Sequence, residues 1–367
     1  MKYLFILGRN VKLSVEEVKS FLEREKFPFK IISLADNQLL MEINKPFGCI
    51  VDKLGGVISI GQVLAEGNSK EIITQLEKQN LYLGSKNKMN YVFFDFKGKD
   101  FEEIRSYLKE KFKEERLKAT EKKITGRIKL QGGGSLAHVS SNTINEQFFM
   151  IGDCFGKIIE SVDYNELKKR DMEKPVRRSE LSISPRLAKI LINLSQVREN
   201  ETLLDPFCGI GVVLQEALLQ KIKVIGVDMD KNAIDGAKQN LEWFDFKEHN
   251  YQLLNNDSTK VELRKVEGLA TEPDLGVLQK KVPSSEKAKE VTNSFEKLIV
   301  RVIKNLHGRV NGRIVFTAPL IILGKKKISC NFDKISSETG LKILENFPID
   351  EFRESSFIGR SIVVMDR

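Results

Sequence analysis

The stretch Leu203–Gly211, LLDPFCGIG, runs from an apolar segment into a carboxylate, a proline and two closely spaced glycines. The next apolar run, KVIGVD, ends in Asp228. Glycines after a strand let the backbone approach a ligand and open a helix whose first amides face it. A carboxylate ending the following strand can accept the hydroxyls of a ribose. The turn therefore suits an adenosine-bearing ligand. A dinucleotide is one candidate, but Leu214 stands where the third glycine of that fingerprint belongs. Asp205, at the end of the first strand, would repel a pyrophosphate and attract the ammonium of an amino acid.

Around this stretch the chain is bounded by its composition. Its 367 residues suggest about two domains. No apolar run approaches the roughly 20 residues of a membrane span, and the apolar core of MKYLFILGRN is too short for a secretory signal. A cytoplasmic protein is expected. Lys and Arg total 60 against 51 Asp and Glu, an excess that favours a polyanion such as nucleic acid and also fits a plain basic surface. Cys49, Cys154, Cys208 and Cys330 form no CxxC pair, and His138, His249 and His307 are scattered, so reduced thiols and no metal site are expected.

The elements that must position the turn follow from periodicity. From about Ile183 helical and apolar strand patterns alternate: PRLAKILINLS, TLLDPF, GVVLQEALLQ, KVIGVDM, KNAIDGAKQNLEWF, YQLLNND, VEGLATEP, FEKLIVRVIKNL, RIVFTAPLIIL. Such alternation gives a doubly wound parallel sheet. FRESSFIGRSIVVMD reads as a terminal hairpin closing one edge. The front of the chain is mixed α+β, read as two small ferredoxin-like units, with a helix from Phe101 capped by Asp100. Residues 166–182 are charged, interrupted by Pro175 and poor in apolar residues, and read as a linker.

The set Asp205, Gly209, Gly211, Asp228 resembles motif I of the S-adenosylmethionine (SAM) methyltransferases. The resemblance implies a Rossmann-like SAM domain over 183–367 with SAM as cofactor and no metal. It places cofactor contacts at Ser184, Asp205, Pro206, Phe207, Cys208, Gly209, Gly211, Asp228, Met229, Asp257 and Ser258. Asp257 would meet the adenine amine, and Ser184, heading the SPRLAKILINLS helix, the methionine end; a plain helix cap reads Ser184 equally well. In relatives acting on exocyclic amines the fourth strand ends Asp/Asn-Pro-Pro-aromatic. The acidic or amide oxygen and a proline carbonyl accept the two N–H bonds of the amine, and the ring stacks the base. Here the stretch reads Thr271-Glu272-Pro273-Asp274-Leu275. Glu272, Pro273 and Asp274 are the catalytic candidates. Glu272 is one methylene longer than the aspartate, and the ring is gone; Phe295 and Phe316 are candidates to replace it, each also reading as core.

The order of parts resembles the THUMP-domain tRNA methyltransferases that methylate guanine N2 at position ten. It implies an N-terminal ferredoxin-like unit over 1–60, a THUMP RNA-binding domain over 61–165, the linker 166–182 and the SAM domain. The expected activity is methyl transfer from SAM to a guanosine N2 amine of tRNA. The alternative is a catalytically inactive RNA-binding protein of the same architecture. The partner is tRNA, with room for a small activator subunit; a monomer is expected. Duplex RNA is read by shape and phosphate, so a basic face suffices. Lys122, Lys123, Arg127 and Lys129, with Lys118 nearby, and Arg177 and Arg178 in the linker are the candidates; Lys325–Lys327 is a further basic run.

Overall fold

The computed structural model describes residues 1–46, 48–122, 127–129, 135–137, 144–178, 183–275, 282–352 and 357–367. The chain divides into two compact units. The first comprises Met1–Val11, Phe27–Val51 and Val57–Val162; the second comprises Lys12–Lys26, Asp52–Gly56 and Asp163–Arg367.

The first unit contains β1 (Lys2–Leu7), β2 (Phe29–Ala35), β3 (Gln38–Ile43), β4 (Val57–Glu66), α2 (Ser69–Glu77), β5 (Lys88–Gly98), α3 (Phe101–Glu114), β6 (Lys118–Glu121), β7 (Arg127–Lys129), β8 (Ser135–Ala137), β9 (Glu146–Gly152) and β10 (Cys154–Ser161). Helix α1 (Val11–Arg24), although early in the chain, falls almost wholly in the second unit. Eight strands form one sheet in the order β2-β3-β1-β4-β10-β9-β5-β6. The expected boundary at residue 60 falls inside β4, which pairs with β1 on one side and β10 on the other. The front of the chain is therefore one continuous sheet rather than two ferredoxin-like units. The reason lies in β4: VISIGQVLAE is ten residues of strand-forming sequence, and its central Gly61 admits the Phe149 ring. Phe93, Phe112, Phe148 and Phe155 pack with Tyr91 into the core under α2 and α3. Asp100 precedes α3 at φ +55° and makes no side-chain cap bond, contrary to the expected N-cap.

The second unit adds α4 (Tyr164–Met172), α5 (Pro185–Ser195), β11 (Thr202–Asp205), α6 (Val212–Leu219), β12 (Lys223–Asp228), α7 (Lys231–Trp243), β13 (Tyr251–Asn255), β14 (Gly268–Thr271), α8 (Ser285–Leu306), β15 (Ile314–Leu323), β16 (Lys326–Ile328), α9 (Phe332–Thr339), β17 (Lys342–Ile343), β18 (Ile349–Glu351) and β19 (Ile358–Asp366). The sheet order is β13-β12-β11-β14-β15-β19-β17. The first five strands are parallel and β19 is antiparallel. Strand β11 is buried at all four residues, as a parallel strand covered on both faces must be. Leu13 of α1 and the apolar stripes of α5 and α6 cover one face, and α8 with Ile335 of α9 the other. The doubly wound α/β fold expected from the alternation is present. Strand order reverses between β11 and β14, so their carboxyl ends open the crevice where such sheets bind ligands.

Two expectations need correction. The linker 166–182 begins as helix α4, whose Asp163 cap accepts the amides of Asn165 and Glu166 and which buries Leu167; Lys174 is buried beyond it. One apolar contact and a good cap suffice where periodicity is too weak to read. The terminal hairpin β18–β19 exists, but β19 lies inside the sheet between β15 and β17 and buries Ile362 to Met365.

Candidate active site

Asp205 ends β11 with its side chain enclosed. The carboxyl accepts the Thr271 hydroxyl at 2.6 Å and the Phe207 amide at 3.2 Å. Burial pushes it up to about 7; the two hydrogen bonds oppose the shift, and the charges of Asp228 and Glu272 add to it. The Thr271 contact also shows that the ends of β11 and β14 adjoin.

The glycine turn is held from β12. Gly209, at φ +50°, donates its amide to Asp228 Oδ2 at 2.9 Å, while Asp228 Oδ1 accepts the Asp230 amide at 2.9 Å. Gly211, at φ +86°, precedes α6, and a Cβ there would lie 3.3 Å from that of Ala237. Both glycines are required by conformation. Asp228 thus braces the turn with one oxygen lobe and retains acceptor capacity for a diol. Met229, next in sequence, is 80% exposed, an apolar surface beside that carboxylate. Pro206 offers its carbonyl to the buried Ser258 hydroxyl at 2.5 Å, and Phe207 packs half-buried on the core beside α8.

Some expected contacts serve the scaffold. Cys208 is buried: its amide donates to Val227 O at 3.0 Å, and burial pushes its thiol well up. Ser258 straps β13 to the turn through that bond to Pro206. Ser184 caps α5, accepting the Leu187 amide at 3.2 Å. Asp257 Oδ1 accepts the Thr259 amide at 2.9 Å and hydroxyl at 2.8 Å, which hold its carboxyl below the ordinary value. Asn255, which sequence reasoning did not select, donates to the carbonyls of Asp228 and Met229 at 3.0 Å each.

At the end of β14, Glu272 is nearly buried and its Oε1 is hydrogen-bonded by Arg360 Nε of β19; the Thr317 hydroxyl lies 3.5 Å from the same oxygen. Arg360 Nη1 is 3.9 Å from Glu351 Oε2. Burial alone would lower Arg360, but Glu272, foremost, and Glu351 more than offset it, so its pKa is raised. Pro273 is buried, Asp274 exposed, and Leu275 turns onto the core. Phe295 and Phe316 are 4% and 0% exposed and face each other, ring centroids 6.4 Å apart, so neither can stack a base. Arg360 was invisible to motif reading because it lies 88 residues from its partner.

The basic candidates separate. Arg178 pairs with Asp230, the α7 cap, at 2.7 Å and is drawn to that helix end. Arg177 is exposed, donating to Met172 Sδ at 3.2 Å. Lys122 is exposed at the end of β6, Arg127 and Lys129 lie on β7, and Lys123 lies outside the described residues. Lys327 pairs with Asp350 at 3.0 Å and covers the Phe352 ring. Among the described residues no group of three His, Cys, Asp or Glu side chains is set to hold a metal, and no helix is long and apolar enough to cross a membrane.

Comparison with known proteins matches residues 175–316 to a family described as an RMKL-like methyltransferase domain, and residues 65–239 to one described as DNA methylase. The tRNA (guanine(10)-N2)-dimethyltransferase of Methanothermobacter thermautotrophicus is 32% identical over 38% of this chain and 39% of its own length. That of Pyrococcus abyssi is 28% identical over 43% of each. The matched stretch thus spans about two fifths of these curated relatives. TrmN from Thermus thermophilus shares the fold, at TM-score 0.50 and 12% identity over 100% of both chains.

Proposed function

We propose that this chain is a SAM-dependent tRNA methyltransferase acting on the exocyclic N2 amine of a guanosine, the one at position ten by analogy with the relatives' names. The observation that carries the reading is the buried Asp205 beside the glycine turn. Its carboxyl is almost fully buried at the strand end where the sheet order reverses and, among the described residues, is met there by the Thr271 hydroxyl and the Phe207 amide rather than a cation, which the ammonium of SAM would supply. The other residues fit the rest of that ligand: Asp228 the ribose, Met229 the adenine face, and Asp257 Oδ2, which has the exposed Lys260 ammonium 3.9 Å away, the adenine amine.

SAM, when bound, supplies a methyl group on a sulfonium leaving group. The chain's own work is orientation. Glu272 and the Pro273 carbonyl accept the two amine hydrogens, which turns the nitrogen lone pair toward the methyl carbon. Transfer, with the sulfonium leaving as a neutral thioether, would leave a positive amine, and the Glu272 carboxylate stabilises that charge until the extra proton passes to water. The first unit, with the basic residues around β6 and β7, grips the tRNA through its phosphates. A tRNA substrate fits the cytoplasmic location expected from the sequence.

The Arg360–Glu272 ion pair favours a second reading, an RNA-binding protein whose acceptor carboxylate is already engaged. Tritium transfer from labelled SAM to unmodified tRNA separates the two. Incorporation that disappears in Glu272→Ala supports the enzyme; SAM binding with no incorporation supports the second reading.

A further inference from the structure

Glu272, which stands where the motif has aspartate or asparagine, is held by an arginine from a distant strand. We propose that Arg360 is a positioning residue: it draws back the Glu272 side chain by one carboxylate oxygen and leaves the other to receive the substrate amine. This rests on the methyltransferase reading above.

The geometry is specific. Glu272 follows Thr271, which is level with Phe316 on β15, so its carboxylate stands beside Thr317. Arg360 sits on β19 opposite Pro319 on one side and Glu351 on the other. Its side chain reaches across β15 to Glu272, while Glu351 steadies the far end of the guanidinium. Among the described residues, Arg360 Nε and the Thr317 hydroxyl both converge on Oε1. An arginine that only braced the sheet gains most from a bidentate pair that closes both oxygens. Among the described residues no donor reaches Oε2, so the Nε contact holds the carboxylate and leaves that oxygen as an acceptor. Aspartate at this place would hold its carboxylate one methylene nearer the strand, so the longer side chain misplaces the acceptor unless something retracts it. Displacement of a reacting group by about 1 Å can cost on the order of a hundredfold in rate.

Steady-state methyl transfer to tRNA is measured for the full chain and for Arg360→Gln, Arg360→Lys, Glu272→Asp and the double variants, with SAM affinity and thermal melting on each. Arg360→Gln is expected to bind SAM within about twofold of the parent and keep its KM for tRNA. It loses about a hundredfold in kcat, and Arg360→Lys recovers part of that. The Arg360→Gln loss shrinks in the Glu272→Asp background, because the shorter side chain needs no retraction. Parental kcat in Arg360→Gln, or losses that simply multiply in the double variant, overturns the proposal. If Arg360→Gln does not fold, Arg360→Lys decides: a kcat loss that is present with Glu272 and shrinks in the Glu272→Asp background supports the proposal, and an equal loss in both backgrounds, or none, overturns it. If the parent binds SAM yet methylates no tRNA, the methyltransferase reading itself falls; if the parent is active and Arg360→Gln matches it, only the positioning role does.

Discussion

The Thr271 hydroxyl donates to the buried carboxyl of Asp205 at 2.6 Å, joining the ends of two parallel strands where the order of the sheet reverses. That bond brings Asp205 and the end of β14, where Glu272 follows, together at one edge of the sheet. It also fixes Asp205 in a setting that has consequences for pH.

Affinity for SAM should rise with pH up to about 7 and then level. Asp205 titrates at about 7 without ligand, and an ammonium beside it favours the charged form, so binding expels a proton below that pH. The slope approaches a factor of ten per pH unit at the acid end. It turns down only when the ligand amine loses its own proton, near 8 by analogy with an α-amino group. Calorimetry between pH 5.5 and 8 checks this; a flat profile contradicts the assignment of Asp205.

Asp205→Asn should abolish SAM binding and yet stabilise the free protein at alkaline pH. The folded carboxyl sits at about 7 against an ordinary 3.8. Its contribution to stability is therefore complete below the lower value and lost as pH rises through the upper one. Asparagine never ionises. The variant's melting temperature without SAM should exceed the parent's at pH 8, and SAM should no longer shift it.

The two glycines of the turn should not be equal. Each has positive φ, so alanine costs about 1 kcal/mol at either. At Gly209 an added Cβ meets nothing, whereas at Gly211 it meets Ala237 at 3.3 Å. Denaturant melts should rank Gly211→Ala as the more destabilised, and the reverse order contradicts the packing described.

What the sequence showed and what it hid follow one physical division. Asp205, Gly209, Gly211 and Asp228 were legible because strand, turn and strand bring them together within a few dozen residues. Arg360 was not, since only the register of β15 and β19 delivers it to Glu272. Side-chain direction was equally hidden: Cys208 and Ser258 occupy motif positions but point into the scaffold. The continuous front sheet was obscured because β4 joins strands from opposite ends of that unit.

Glu17→Ala should cost about 3 kcal/mol or more. The buried Glu17 carboxylate accepts the amides of Gly55 and Gly56 at 2.6 Å each and the Asn193 side chain at 2.8 Å, and truncation orphans all three donors. Equilibrium unfolding measures the loss; a change under 1 kcal/mol contradicts the role assigned to this network.

Removing Lys122, Lys123, Arg127 and Lys129 together should weaken tRNA binding and flatten its salt dependence, by roughly 0.7 to 0.9 in slope for each phosphate no longer neutralised. Arg178→Ala, which breaks an exposed pair with Asp230, should leave stability close to the parent's and the salt slope unchanged. Filter binding across a salt series tests both.

The most direct trial of the central claim is mass spectrometry of nucleosides from unmodified tRNA incubated with the protein and SAM. The account predicts N2-methylated guanosine, formed only when SAM is present and lost in Asp205→Asn. Digests identical to untreated tRNA, from protein shown to bind SAM, would contradict it.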